Sequence, residues 1–134
     1  MTVPTVSPAH MGEWRAHPGF GVYVHIPFCR HRCNYCDFNT YEGQDALHAA
    51  YVDALVRDIQ RCSLDPRVVT SIFFGGGTPT LLLVHFLNRM LSAIRGRFPV
   101  APDAEVTIEA NPDTVDEAKL AGLLEAGFVR LSMG

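Results

Sequence analysis

Strand-like and helix-like segments alternate along most of this chain, and the alternation limits the folds that it can adopt. Short β-branched and aromatic runs bounded by proline or glycine predict four strands, at residues 22–26, 68–74, 105–109 and 128–132. Apolar residues spaced three and four apart predict a helix between each pair of strands. Strands that alternate with helices form right-handed βαβ units in a parallel sheet. The sequence therefore predicts an α/β fold, either a partial (β/α) barrel truncated after about three units or a small open sheet.

Each predicted helix carries an apolar stripe that is expected to face the sheet. The first helix covers residues 46–62 and ends at Cys62, where an isolated cysteine is typical of a small buried side chain. The residues predicted to pack inwards are Leu47, Tyr51, Leu55 and Ile59 in the first helix, Leu83, Phe86, Leu87, Met90, Leu91 and Ile94 in the second, and Leu120, Leu123 and Leu124 in the third.

The ends of the second and third helices carry recognisable capping signals. Thr80 follows a proline and is predicted to cap the second helix. Thr114 and Glu117 form the Thr-x-x-Glu pattern of a capping box for the third helix, which is predicted to stop at Gly127.

Composition and charge disfavour several classes of function. The chain has 11 Lys+Arg against 14 Asp+Glu, and its formal charge of −3 does not favour nucleic acid or an anionic membrane as a partner. No stretch approaches the ~20 apolar residues of a membrane span, and the N-terminus lacks the pattern of a secretory signal. We expect a cytoplasmic protein with a flexible leader at residues 1–19. Residues 20–134 form one incomplete domain, since the last strand is followed by no helix.

Three of the four cysteines fall within eight residues, directly after the first predicted strand. The spacing is Cys29-x-x-x-Cys33-x-x-Cys36, at the strand end where parallel α/β folds place their chemistry. Crowded thiols in a cytoplasmic chain favour a metal over disulfides, and thiolates are the ligands of iron–sulfur clusters. Three thiolates on a four-iron cluster would leave one iron open to a small molecule.

Two alternatives for the cysteine segment stay open. A zinc site needs a fourth ligand, which only His25, His31 or Asp37 could supply here. The other alternative is a disulfide with one spare thiol. Arg30 and Arg32 lie between the first two cysteines, where cationic groups favour thiolate over thiol.

The glycine run after the second predicted strand is a second candidate for binding. Gly75-Gly76-Gly77 exposes backbone N–H groups that a carboxylate can approach, although the run is not a P-loop and could be only a tight turn. Glu109 ends the third strand at the same edge and could pair with an ammonium or hydroxyl group, or could simply be solvated. His25 is predicted to be a hydrogen-bonded core histidine.

The cysteine spacing resembles that of the radical S-adenosylmethionine (SAM) superfamily, and the sequence around it narrows the resemblance. Four segments are similar, in the same order, to the group that contains oxygen-independent coproporphyrinogen III oxidases and HemW-type heme chaperones. They are Tyr23-Val-His-Ile-Pro-Phe-Cys29, Gly75-Gly-Gly-Thr-Pro-Thr80, Glu109-Ala-Asn-Pro-Asp113 and Arg130-Leu-Ser-Met-Gly134.

This resemblance implies two cofactors and the residues that hold them. The ligands of a [4Fe–4S] cluster would be Cys29, Cys33 and Cys36, and the open iron would bind SAM, which one electron cleaves to a 5′-deoxyadenosyl radical. The resemblance also places two tyrosines beside the cluster and cofactor, two glycines and a threonine on the methionine portion, and a glutamate on the cofactor: Tyr23 and Tyr35, then Gly76, Gly77 and Thr78, then Glu109.

Phe38 separates the two branches of this group. The oxidases usually carry a further cysteine two places after the third ligand, whereas this chain reads Cys36-Asp37-Phe38, as the chaperones do. The resemblance thus implies a heme chaperone that delivers heme to an acceptor protein, with its heme-binding part beyond Gly134. The alternatives are an oxidase that decarboxylates a porphyrinogen and a small structural metal-binding module. The acceptor and the electron donor are not identified by the sequence.

Overall fold

The structure, a computed structural model, describes residues 19–31, residue 34 and residues 39–134. These ranges contain three helices and six strands, two of which are only two residues long. In chain order they are β1 (Phe20–Ile26), β2 (Phe28–Cys29), β3 (Tyr41–Glu42), α1 (His48–Arg61), β4 (Val69–Gly76), α2 (Val84–Arg97), β5 (Val100–Ala110), α3 (Glu117–Ala126) and β6 (Arg130–Met133).

The four longer strands form one parallel sheet whose spatial order, β1-β4-β5-β6, is also their order along the chain. Each crossover therefore moves by one strand in the same direction, and right-handed crossovers place all three helices on one face of the sheet. This is the arrangement of consecutive strands in a (β/α) barrel. The predicted α/β class and the partial barrel are confirmed.

The hydrophobic core lies between the sheet and the helices. Alternate residues of β1, β4 and β5 face the helices, because successive side chains of a strand point to opposite faces. They meet the apolar stripe of α2, which is the central helix. The buried residues are Val24, Ile26, Ile72, Phe74, Val106 and Ile108 from the strands and Leu87, Met90, Leu91 and Ile94 from α2. The opposite face of the sheet carries polar and aromatic side chains.

Four of the leucines predicted to be buried are exposed. Leu47 lies in a 3-10 turn before α1, and Leu83 is the residue that precedes α2, in extended conformation, so neither lies on a helical stripe. Leu120 and Leu124 in α3 are 40% and 67% exposed, whereas Leu123 is buried. The spacing i, i+3, i+4 does place the three leucines on one face of α3, but in the part of the chain that the structure describes only the side of that face with Leu123 is covered.

The predicted caps of α2 and α3 are wrong. Thr80 lies within a 3-10 turn, Pro79–Leu81, and makes no cap for α2. The cap of α3 is Asp116, whose carboxylate accepts the backbone N–H of Lys119 at 2.7 Å. Thr114 instead stabilises the preceding 3-10 turn, Pro112–Thr114. Short 3-10 turns before both helices shifted the helix starts beyond the predicted caps.

The helix ends also differ from one another. Gly127 ends α3 in the left-handed conformation, at φ 106°, as predicted. Cys62, which was predicted to be buried, is exposed at the end of α1, where its carbonyl accepts the Arg97 side chain. No helix in the part of the chain that the structure describes is long and apolar enough to cross a membrane.

Candidate functional site

A cavity of about 290 Å³ opens at the carboxyl edge of the parallel sheet, meaning the edge where β1, β4, β5 and β6 end. Loops at this edge of α/β sheets are the usual place for ligand sites. The lining residues come from four strand ends, and they are Cys29, His31, Gly76, Gly77, Thr78, Glu109, Ala110, Asn111, Ser132, Met133 and Gly134.

Cys29 is buried on β2 at one side of this cavity. The two-residue strand is held by parallel pairing with β3, in which Phe28 lies opposite Tyr41. The backbone N–H of Tyr41 also donates to the carbonyl oxygen of Pro27 at 2.7 Å. Both ends of the segment that carries the other two cysteines are therefore attached to the body of the fold.

The glycine turn, which consists of Gly75, Gly76 and Gly77 at the end of β4, packs directly against the segment that carries Cys29. The N–H of Gly77 donates to the carbonyl oxygen of Ile26, and the N–H of Thr78 donates to that of Phe28, both at 2.7 Å. A Cβ atom on Gly77 would lie 2.4 Å from the Phe28 oxygen and 2.8 Å from Cys29 Sγ. Only glycine lets the turn run this close to the thiol.

Gly76, within the glycine turn, is bonded directly to the side chain of Glu109. Its φ of 117° favours glycine, and its N–H donates to Glu109 Oε2 at 3.0 Å. Glu109 is half-buried at the end of β5. A carboxylate can accept about four hydrogen bonds, so the contact with Gly76 leaves it able to bind a cationic or hydroxyl group in the cavity.

Tyr23 and His25 lie on the face of β1 opposite the helices, beside the cavity. His25 Nε2 lies 3.0 Å from the carbonyl oxygen of Asn39, and Nδ1 lies 3.1 Å from the Tyr23 hydroxyl. The predicted hydrogen bonding of His25 is thus confirmed, but its predicted place in the core is wrong, because the side chain is only half-buried. Burial, together with the negative charge of Glu109, raises the pKa of Tyr23 above its usual 10.0. The charge of Glu109, which lines the cavity, therefore acts on Tyr23, although the Tyr23 side chain is not among the lining residues.

An ion pair that the sequence did not reveal fastens the start of the cysteine segment. Arg30 Nη1 lies 3.3 Å from Asp113 Oδ2, in the turn that follows β5. Arg30 was expected to favour thiolates, and Asp113 offsets part of its charge. Both side chains are about half exposed, and exposed ion pairs of this kind contribute little to stability.

Five of the predicted site residues line the same cavity: Cys29, Gly76, Gly77, Thr78 and Glu109. Three others, Cys33, Tyr35 and Cys36, lie outside the described residues, as does Phe38. Among the residues that the structure does describe, no group of three or more His, Cys, Asp or Glu side chains could hold a metal ion. Asn111, Ser132 and Met133 also line the cavity and were not predicted to do so, although each lies in a segment that carries the family resemblance.

The strand order defines a partial (β/α) barrel, and the cavity at the carboxyl edge of its sheet is the candidate site for a cofactor. The model of the Radical SAM superfamily matches residues 23–134, and the chain belongs to this superfamily. Its members in general use SAM and a [4Fe–4S] cluster. The glycine turn fits such a group, because it leaves bare backbone beside Cys29 where any Cβ would intrude.

The chain is similar to several proteins of known function. It is 40% identical to the heme chaperone HemW of Escherichia coli over 120 residues, which are 87% of this chain and 32% of that protein. It is 37% identical to an anaerobilin synthase of Escherichia coli O157:H7, over 84% of this chain and 26% of that one. The solved structure of the coproporphyrinogen III oxidase HemN from Escherichia coli, a radical SAM enzyme, matches with a TM-score of 0.78 and 33% identity, over 96% of this chain and 31% of that one. The chain thus spans about a third of the length of these relatives.

Proposed function

We propose that this chain forms the cluster- and SAM-binding part of a heme chaperone of the HemW type. The observation that carries the proposal is the convergence of Cys29, the glycine turn and Glu109 on one cavity. These groups come from three separate strand ends, and their chemistry suits a metal-bound amino acid: a thiolate for iron, a glycine backbone without side chains beside it, and a carboxylate for an ammonium.

In this proposal each residue has a defined role. Cys29, Cys33 and Cys36 would hold the cluster, which when bound and reduced would supply the electron for reductive cleavage of SAM. Gly76, Gly77 and Thr78 would border the methionine portion of the cofactor, while Glu109 would accept hydrogen bonds from it. Tyr23 and Tyr35 would lie beside both groups, Tyr23 from outside the lining of the cavity.

Heme delivery is supported by two independent observations. Relatives named as heme chaperones HemW match at 40% and 41% identity, and Phe38 stands where the oxidases usually have a cysteine. The heme-binding part would then lie beyond Gly134, with heme as cargo and a heme-acceptor protein as partner. We also propose that the protein works in the cytoplasm.

The structural match to HemN favours a second candidate, an oxygen-independent coproporphyrinogen III oxidase. The two candidates share the cluster and SAM but differ in the porphyrin that they bind. Heme titration against a longer protein that extends beyond Gly134, run beside an assay for vinyl product from coproporphyrinogen, separates them. Heme binding without product supports the chaperone, and product formation supports the oxidase.

The cofactor proposal itself is tested by anaerobic reconstitution of the chain with iron and sulfide. We expect a brown protein with about four irons per chain and, after reduction by one electron, an electron paramagnetic resonance signal that changes when SAM is added. A colourless protein that binds one zinc ion would show instead that the cysteines form a structural metal site, and it would overturn the proposal.

A further inference from the structure

A pair of buried threonine hydroxyls connects the loop that follows β4 with the loop that follows β5, both of which contribute lining residues to the cavity. Thr80 follows the glycine turn and is completely buried, and Thr114 follows Asn111 and is 8% exposed. Their Oγ1 atoms lie 2.6 Å apart, although 34 residues separate them along the chain. The threonine pair, as we call these two residues, is not among the lining residues of the cavity.

The hydrogen bonds of Thr114 determine the direction of this contact. Its hydroxyl donates its single proton to the carbonyl oxygen of Asn111 at 2.7 Å and accepts the Asn111 N–H at 3.3 Å. Since a threonine hydroxyl has one proton and two lone pairs, Thr80 must be the donor in the contact between the two hydroxyls. Thr114 is then fully satisfied, with one bond donated and two accepted.

Both members of the threonine pair are also fixed to residues that line the cavity. On one side, the 3-10 turn that contains Thr80 is closed by the N–H of Leu81 donating to the carbonyl oxygen of Thr78, at 2.9 Å. The side chain of Lys119 donates to the carbonyl oxygen of Thr80 and holds it against α3. On the other side, Thr114 holds Asn111 through both of its backbone groups.

Resting on the SAM site proposed above, we propose that the threonine pair positions the glycine turn relative to the end of β5 and so raises the affinity for SAM. Gly76, at the end of β4, donates directly to Glu109, at the end of β5, at 3.0 Å, and this bond forms only while the two strand ends keep their spacing. The threonine pair lies behind it, in the buried interior where a neutral hydrogen bond is not weakened by water. Both threonines are therefore positioning residues.

The first test uses two neighbouring amides with different partners. The Gly76 N–H donates a hydrogen bond to the Glu109 side chain at the end of β5, whereas the Gly77 N–H donates to the carbonyl oxygen of Ile26 in β1. In the cluster-free chain we expect Thr80→Val to speed hydrogen–deuterium exchange at Gly76 by about fivefold and to leave Gly77 unchanged, as measured by NMR. Equal acceleration at both amides, or no change at either, would show that the threonine pair does not control the spacing.

The second test measures the dissociation constant of SAM with the reconstituted protein. Thr80→Val should raise it about fivefold, and Thr80→Ser, which keeps the hydroxyl, should restore it to within about twofold. The matched control is Thr107→Val, because Thr107 is equally buried but its hydroxyl donates to Glu105 on the same strand. The double variant Thr80→Val with Thr114→Val should bind SAM no more weakly than Thr114→Val alone. Each single substitution already removes the same hydrogen bond between the two hydroxyls.

The outcomes separate this inference from the proposed function. If the unmodified chain binds no SAM, the proposed function fails. If the unmodified chain binds SAM and Thr80→Val binds it equally well, the inference about the threonine pair fails while the proposed function stands.

Discussion

The two edges of the central sheet are held together in different ways. At the carboxyl edge, backbone groups bond directly to one another, as Gly77 does to Ile26. At the amino edge, aromatic and cationic side chains add to the backbone bonds: Phe20 meets Phe98 with ring centroids 5.9 Å apart, and the Arg67 guanidinium lies 5.0 Å above the Phe20 ring. At the carboxyl edge the bonded backbone beside Cys29 leaves no room for a Cβ atom on Gly77, whereas a Cβ atom on Gly96 would meet nothing within 4 Å.

This difference separates the edge that carries the candidate site from the edge that lies away from it. The same residue types occur at both edges: Cys29 and Gly77 line the cavity, while Cys62 and Gly96 lie at the far ends of α1 and α2. Each pair therefore provides a substitution at the candidate site with a matched control in the same protein.

The largest expected effect is at the cysteines. Cys29→Ala removes a proposed cluster ligand, and we expect the iron content after reconstitution to fall from about four to below about one per chain. Cys62→Ala should leave the iron content unchanged, because Cys62 is exposed at the opposite edge. A normally coloured Cys29→Ala protein with four irons would remove the distinction between the two edges.

The glycines should differ in the sign of their effect. The methyl group of Gly77→Ala would lie 2.4 Å from the Phe28 oxygen, and we expect the free energy of unfolding to fall by about 2 kcal/mol and SAM binding to be lost. The methyl group of Gly96→Ala, in the last turn of α2, would meet nothing within 4 Å, and this substitution should raise the free energy of unfolding by about 0.5 kcal/mol. Urea unfolding measures both, and equal changes would contradict the comparison.

Glu109→Gln tests the electrostatics of the carboxyl edge. The negative charge of Glu109 disfavours the ionised form of Tyr23, so its removal should lower the pKa of Tyr23 while burial still holds it above 10.0. Ring NMR signals followed against pH measure this shift. SAM affinity should fall at least about tenfold, because a charged acceptor is lost. An unchanged Tyr23 titration would mean that the two groups do not interact.

The smallest effect is expected at the amino edge, in the pair formed by Asp65 and Arg67. Hydrogen bonds from Arg67 lower the pKa of Asp65 from 3.8 to about 2. A lowered folded-state pKa adds stability that is present above pH 3.8 and is lost as the pH falls through about 2. The difference in stability between the unmodified chain and Asp65→Asn should therefore be small at neutral pH and vanish at that acidic limit. A difference that grows with acid would contradict this sign.

The sequence predicted the sheet and helices well because buried parallel strands and amphipathic helices have strong periodic patterns. It did not predict the 3-10 turns before each helix, since turns of three residues have no repeating pattern to detect. The resulting errors were local: Thr80 and Thr114 were expected to cap helices and instead bond to each other. Cys62 was expected to be buried, but a helix end offers no neighbouring element to cover it.

The grouping of Cys29, the glycine turn and Glu109 followed from the rule that parallel strands end at the same edge. Their roles toward the cofactors remain predictions. The bond between Arg30 and Asp113 could not be predicted, because it joins residues 83 positions apart whose proximity depends on the folded backbone. The same holds for Ser132 and Met133, which reach the cavity only because β6 pairs with β5.

The contacts of His25 have a practical consequence. The carbonyl of Asn39 only accepts, so Nε2 carries the proton in the neutral ring and Nδ1 accepts the hydroxyl of Tyr23. The Tyr23 hydroxyl is thereby linked through the His25 imidazole to the backbone of Asn39, which follows the cysteine segment. A shift of the Asn39 backbone would therefore change the ring NMR signals of Tyr23, which is the far end of this chain of hydrogen bonds.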